Sequence, residues 1–138
     1  MTKKIVCAVD DSEHTKTTVG LAAEIAKATG AELTLLAVNE LSAGSKGGAV
    51  AYLWNNAELN RVLESAATVA KKAGAASAKT ASIKSRDVAR AIAMYAEDNG
   101  ADHIVVGTGG KGSVSRLMLG SVSRDVVFRA HCPVTVAR

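Results

Sequence analysis

The chain has 138 residues, 48% of them hydrophobic, 22% charged and 3% aromatic, with a formal net charge of +4. This suits one domain spanning 1–138 with a core of Val, Ile, Leu and Ala, and the absence of any run of about 18 apolar residues excludes a membrane-spanning helix. Lysines and arginines are spread along the sequence and few aromatics are available to stack on bases, which argues against a nucleic-acid surface.

Lys4 to Val9 is apolar at nearly every position, the pattern of a parallel strand buried on both faces. The start Met-Thr-Lys-Lys leads into this strand rather than into a secretory apolar region, so a cytoplasmic protein is expected. The strand ends at Asp10-Asp11-Ser12, at the sheet edge where open α/β folds bind ligands. Asp10 is a candidate binding residue there; a helix cap is its other role, one that Asp11 or Ser12 can also fill. A helix is expected from Ser12 to Thr29, with Val19, Ala22, Ala23 and Ala26 as its apolar stripe, Leu21 and Ile25 widening it, and Gly30 as its stop. Leu33 to Val38 is the second strand. Ser42 to Trp54, rich in Gly and Ser, reads as a surface loop anchored on the core by Tyr52 and Trp54, with a base-stacking lid as the alternative.

Asn55 and Glu58 form a capping box for the second helix. Its buried face is Leu59, Val62, Leu63, Ala66, Val69, Ala70 and Ala73, and Gly74 ends it. Ala76 to Ile83, with Lys79 and Ser82 interleaved, suits an edge strand. Ser85 is placed to cap the third helix, with Val88, Ala91, Ile92, Tyr95 and Ala96 toward the sheet and Asn99-Gly100 as its end. His103 to Val106 is the fourth strand. Ser121 is expected to cap a last helix carrying Val122, Val126 and Val127 and running to about Ala130, and Pro133 to Ala137 forms the last strand. The alternation predicts a doubly wound, open five-stranded parallel sheet of order 3-2-1-4-5 with helices on both faces, a Rossmann-like α/β fold. Cys7 and Cys132 lack C-x-x-C spacing and read as reduced thiols in or beside buried strands.

Between the fourth strand and the last helix lies a glycine-rich stretch from Gly107 to Ser123. Backbone N–H groups of such a loop converge on an anion, and the helix start adds about half a positive charge. It is not a Walker A loop, because Gly112 follows Lys111. Gly107, Gly109 and Gly112 fit G-x-G-x-x-G, but they follow the fourth strand rather than the first and lack an acidic residue about 20 positions on. A longer spacing fits better: Gly107, two residues, Gly110, nine residues, then Gly120-Ser121. This resembles the nucleotide loop of the universal stress protein family, in its ATP-binding branch. Lys4 to Ser12 and His131 to Val136 resemble that family's first and last strands, and length and element order agree over essentially the whole chain.

The resemblance implies an ATP-binding, nucleotide-responsive stress protein, with magnesium as the phosphates' companion. Carried over position by position, it implies nucleotide contacts at Ala8, Asp10, Val38, Gly107, Thr108, Gly109, Gly110, Gly120, Ser121, Val122 and Ser123, with Asp10 on the ribose and the Val38 backbone on adenine. Asp11 departs from the family, where Gly often stands; a second carboxylate beside phosphates is unfavourable unless it points outward or helps hold a cation. The resemblance also implies a homodimer through Val134 to Ala137 and a regulatory protein partner. No acid–base pair stands out: His14, His103 and His131 are not tied by spacing to a nucleophile, so binding rather than catalysis is the expectation, with slow ATP hydrolysis or phosphotransfer the secondary one. The alternative from another class is a nucleotide-free dimeric scaffold of the same fold.

Overall fold

A computed structural model describes residues 2–42, 51–108 and 120–138. Its elements are β1 (Lys4–Val9), α1 (Thr15–Thr29), β2 (Glu32–Ser42), β3 (Ala51–Tyr52), α2 (Asn56–Lys72), β4 (Lys79–Ser85), α3 (Val88–Asp98), β5 (His103–Gly107), α4 (Ser121–Arg129) and β6 (Val134–Ala137). The five parallel strands lie in the order β4-β2-β1-β5-β6, the expected 3-2-1-4-5. The difference from expectation is β3, which pairs antiparallel with the end of β2 through Leu41 with Tyr52 and Ser42 with Ala51.

The continuous apolar runs follow from helices on both sheet faces, so alternate side chains of one strand feed two cores. Ile5, Cys7 and Val9 of β1, with Leu33, Leu35 and Ala37 of β2, pack against Val19, Ala22, Ala23 and Ala26 of α1 and Val62, Ala66 and Ala70 of α2. Val6, Leu36, Val38, Ile104 and Val106 point the other way, onto Ala89, Ile92 and Ala96 of α3 and Val126 of α4. Burial pushes the Cys7 thiol up to about 12 and also raises that of Cys132, with the Asp102 carboxylate adding to the latter.

Helix ends follow local chemistry, with three shifts from expectation. Gly30 closes α1 in the left-handed region at φ 72°, and the Asn55–Glu58 capping box opens α2. α1 begins at Thr15 rather than Ser12, because Asp10, Ser12 and Thr15 are tied into a turn; its cap position is His14, which makes no side-chain cap bond. α3 is capped by Asp87, whose Oδ1 accepts from the Arg90 N–H at 3.1 Å, while Ser85 Oγ bonds the Asp87 backbone. α4 is capped by Gly120, in extended backbone at φ −64° and ψ 159°, so Ser121 is its first helical residue rather than its cap. Val126 is its buried valine, whereas Val122 and Val127 are exposed.

Candidate functional site

The carboxyl ends of β1, β2 and β5 open onto a cleft of about 250 Å³. Ala8 and Asp10 enter from the end of β1, Val38 from β2, Gly107 and Thr108 from β5, and Gly120, Ser121, Val122 and Ser123 from the start of α4. All nine of these sequence-predicted positions border this one cleft. Gly109 and Gly110 lie outside the described residues. Parallel strands in this order put the ends of β1 and β5 side by side, which brings Asp10 across from the α4 start.

Three kinds of chemistry meet there. The first is a set of backbone donors. The first residue of α4 whose N–H reaches back into the helix is Arg124, to the Gly120 carbonyl at 3.0 Å. The N–H groups of Ser121, Val122 and Ser123 therefore stand at the positive end of a nine-residue helix without an intrahelical acceptor. Ser123 is buried and its hydroxyl donates to the Gly120 carbonyl at 3.0 Å, so in this arrangement it offers lone pairs rather than a proton. The second is a carboxylate. Asp10 Oδ1 accepts from the Ser12 N–H at 2.9 Å and from the Thr15 hydroxyl at 2.8 Å, while Oδ2 takes no hydrogen bond from a described residue. The third is apolar wall: Val38, Leu53, Trp54, Val88, Ile92 and Val106.

The described lining carries two carboxylates, Asp10 and Glu40, and no lysine or arginine. The α4 N–H groups are therefore the positive end of the described lining, with no lysine or arginine beside them. Asp11 faces elsewhere: its Oδ2 accepts from the Trp54 indole N–H at 3.4 Å, and it borders a separate groove between α1 and α2. The Asp11 carboxylate is in this way kept out of the cleft lining, where Glu40 stands as the second carboxylate beside Asp10. Among the described residues no group of three His, Cys, Asp or Glu side chains could hold a metal ion. His103 Nε2 pairs with Thr135 Oγ1 at 2.7 Å and His131 Nε2 with the Ala101 carbonyl at 3.0 Å, both away from the cleft, whereas His14 borders it.

Two residues that shape the cleft escaped sequence reasoning. Asn39 is 4% exposed, and its side chain clamps Trp54 on both sides: Nδ2 donates to the Trp54 carbonyl at 2.8 Å, and Oδ1 accepts from the Trp54 N–H at 3.0 Å. The signal was a lone amide directly after an apolar strand, where a buried polar group requires a partner. Thr15, five residues after Asp10, falls in the first turn of the helix expected from Ser12 and carries no role in the sequence reading. Tyr52 is 44% exposed with Lys84 Nζ 4.6 Å from its ring centre, so the anchoring expected of the pair falls to Trp54 alone, at 4% exposure.

Compared with known proteins, residues 1–138 match the profile of the universal stress protein family. A universal stress protein of Thermus aquaticus is 36% identical over 141 aligned positions, covering 100% of each chain. With one from Methanocaldococcus jannaschii the likeness is 48% over 50 residues, which span 36% of this chain and 29% of that longer one. Among solved structures, a universal stress protein of Archaeoglobus fulgidus superposes with a TM-score of 0.79 at 24% identity and 100% coverage of both chains. Another universal stress protein, solved in complex with cAMP, gives a TM-score of 0.77 at 25% identity, covering 99% of this chain and 97% of its own.

Proposed function

The chain belongs to the universal stress protein family, and from that membership and the cleft's composition we propose that it is an ATP-binding, nucleotide-responsive regulatory protein. The observation that carries the reading is convergence: nine positions from four separate stretches of chain border one cleft with an anion-attracting helix start, an acceptor carboxylate and apolar walls. An adenine nucleotide needs those three things in one place. The α4 N–H groups suit phosphate oxygens. Asp10 Oδ2 suits the ribose hydroxyls, which donate to a carboxylate. The apolar wall by Val38 suits the base, whose edge the Val38 backbone would read. The cAMP-bound relative supports an adenine nucleotide as the ligand class. Magnesium would enter with the phosphates, since the described residues offer no three-ligand group of their own.

A regulatory role accords with a cleft of binding groups, in which the hydroxyl–carboxylate contact, Thr15 on Asp10, is tied into the turn ahead of α1. We also assign the molecule a homodimeric state through β6, which pairs only with β5 among the described strands and so leaves one edge open. The test is mass spectrometry of small molecules released when purified protein is denatured. ATP or another adenine nucleotide in the released fraction supports binding, whereas a nucleotide-free preparation that also ignores added ATP supports the scaffold alternative. A time course of ADP release then separates a switch from a slow hydrolase.

A further inference from the structure

Thr15 is the first residue of α1, and its hydroxyl sits at the centre of an unusual set of bonds to one partner. It donates to Asp10 Oδ1 at 2.8 Å, lies 2.9 Å from the Asp10 carbonyl as a second acceptor, and accepts from the Asp10 N–H at 3.2 Å. One side chain thus holds the backbone donor, the backbone acceptor and the carboxylate of the same residue. An ordinary cap would bond the exposed N–H groups of its own helix start; here the hydroxyl reaches back five residues instead, and α1 has no side-chain cap at all. The Thr15 hydroxyl thus serves Asp10 rather than the helix start, whose cap position is His14.

From this we infer that Thr15 is the positioning residue for Asp10 in nucleotide binding; the inference rests on the ATP reading above. An aspartate at a strand end has two rotatable bonds, and a ligand that uses its carboxylate must first immobilise them. The Thr15 hydroxyl and the Ser12 N–H both bind Oδ1, which fixes the carboxylate plane and leaves Oδ2 as the oxygen without a described donor. That is the oxygen available to a sugar hydroxyl. Thr15 itself borders the cleft, yet its hydroxyl is committed to Asp10, so it acts through the carboxylate rather than on the ligand.

The experiment is calorimetric titration of ATP into wild type, Thr15→Val, Thr15→Ser and Asp10→Ala, with Thr15→Val repeated on the Asp10→Ala background. Thermal melts run alongside, and Thr15→Ala is the substitute where Thr15→Val does not fold. Loss of the hydroxyl should weaken ATP about tenfold, the scale of one hydrogen bond to a charged group. Thr15→Ser should restore wild-type affinity. On the Asp10→Ala background the same change should cost no further affinity, and 2′,3′-dideoxy-ATP should show little difference between Thr15→Val and wild type. A merely structural threonine would shift the melt without this pattern. Wild-type ATP affinity in folded Thr15→Val, or an equal loss with and without Asp10, overturns the inference while leaving the ATP reading standing. Wild type that does not bind ATP overturns the reading itself, and this inference with it.

Discussion

At Gly120 the backbone adopts φ −64° and ψ 159°, angles open to any residue, so glycine is not required there by conformation. A side chain at this position would instead project at the helix start where the Ser121 to Ser123 N–H groups converge. Gly120→Val should therefore keep the fold by circular dichroism and lose ATP binding in a calorimetric titration; a folded variant with wild-type affinity would remove the phosphate role from this helix start. Cys7 tests burial by titration. Its thiol lies at 0% exposure and is pushed up from 9.0 to about 12 by loss of hydration. Above pH 9 the unfolded chain sheds that proton while the folded chain keeps it, so Cys7 favours folding below pH 9 and its contribution is lost as pH rises toward 12. In that window wild type should lose about 1.4 kcal/mol more stability per pH unit than Cys7→Ala, a variant whose own cavity offsets both pH values equally. Parallel pH dependence of the two proteins in urea unfolding would show that the thiol is not shielded.

The end of β2 is the element that most alters the cleft. Beyond Val38 the strand continues through Asn39 and Glu40, where the Glu40 carbonyl accepts from the Leu53 N–H at 2.9 Å, to the short pairing with β3. The Asn39 clamp on Trp54 sets where this returning chain crosses the cleft mouth. Asn39→Ala leaves the buried Trp54 N–H and carbonyl without partners and should cost about 1–3 kcal/mol of stability. Urea unfolding measures that cost, and Trp54, the single tryptophan, should shift its emission to the red; an unchanged midpoint and spectrum would mean that packing alone holds the segment. This element also marks where sequence reasoning stopped short. β1, the capping box of α2 and the Gly30 end of α1 were legible because each rests on residues within a few positions of one another. The extension of β2 was not, since Asn39 and Glu40 break the apolar run and the partner that satisfies Asn39 stands 15 residues away. The start of α1 was misplaced for a related reason. Ser12 is a good cap by type, but the Thr15 hydroxyl draws Asp10 and Ser12 into a turn ahead of the helix.

For the whole molecule, strand order decides both where the cleft lies and which of the described strands, β4 and β6, form the edges of the parallel sheet. β1 stands between β2 and β5, so the ends that carry Asp10, Val38 and Gly107 are neighbours. β6 lies at one edge, and the bonds from the Ile104 N–H to the Pro133 carbonyl and from the Thr108 N–H to the Ala137 carbonyl turn the odd-numbered residues of β6 toward β5. The backbone groups of Val134 and Val136 consequently face outward, ready to pair with a second copy. Thr135 is a poor place to test this edge, because its hydroxyl is held by His103. Val136→Pro removes an outward N–H without taking a donor from the β5 ladder and should convert a dimer to a monomer in light scattering coupled to size exclusion; a wild-type protein already of single-chain mass would contradict the dimer. The cleft itself is tested most directly by titrating ATP into nucleotide-stripped wild-type protein in a calorimeter. The account predicts saturable binding at about one ATP per chain, as expected of a preformed cleft of this composition. No saturable heat at any temperature tried, from protein that melts as a folded domain, would contradict it.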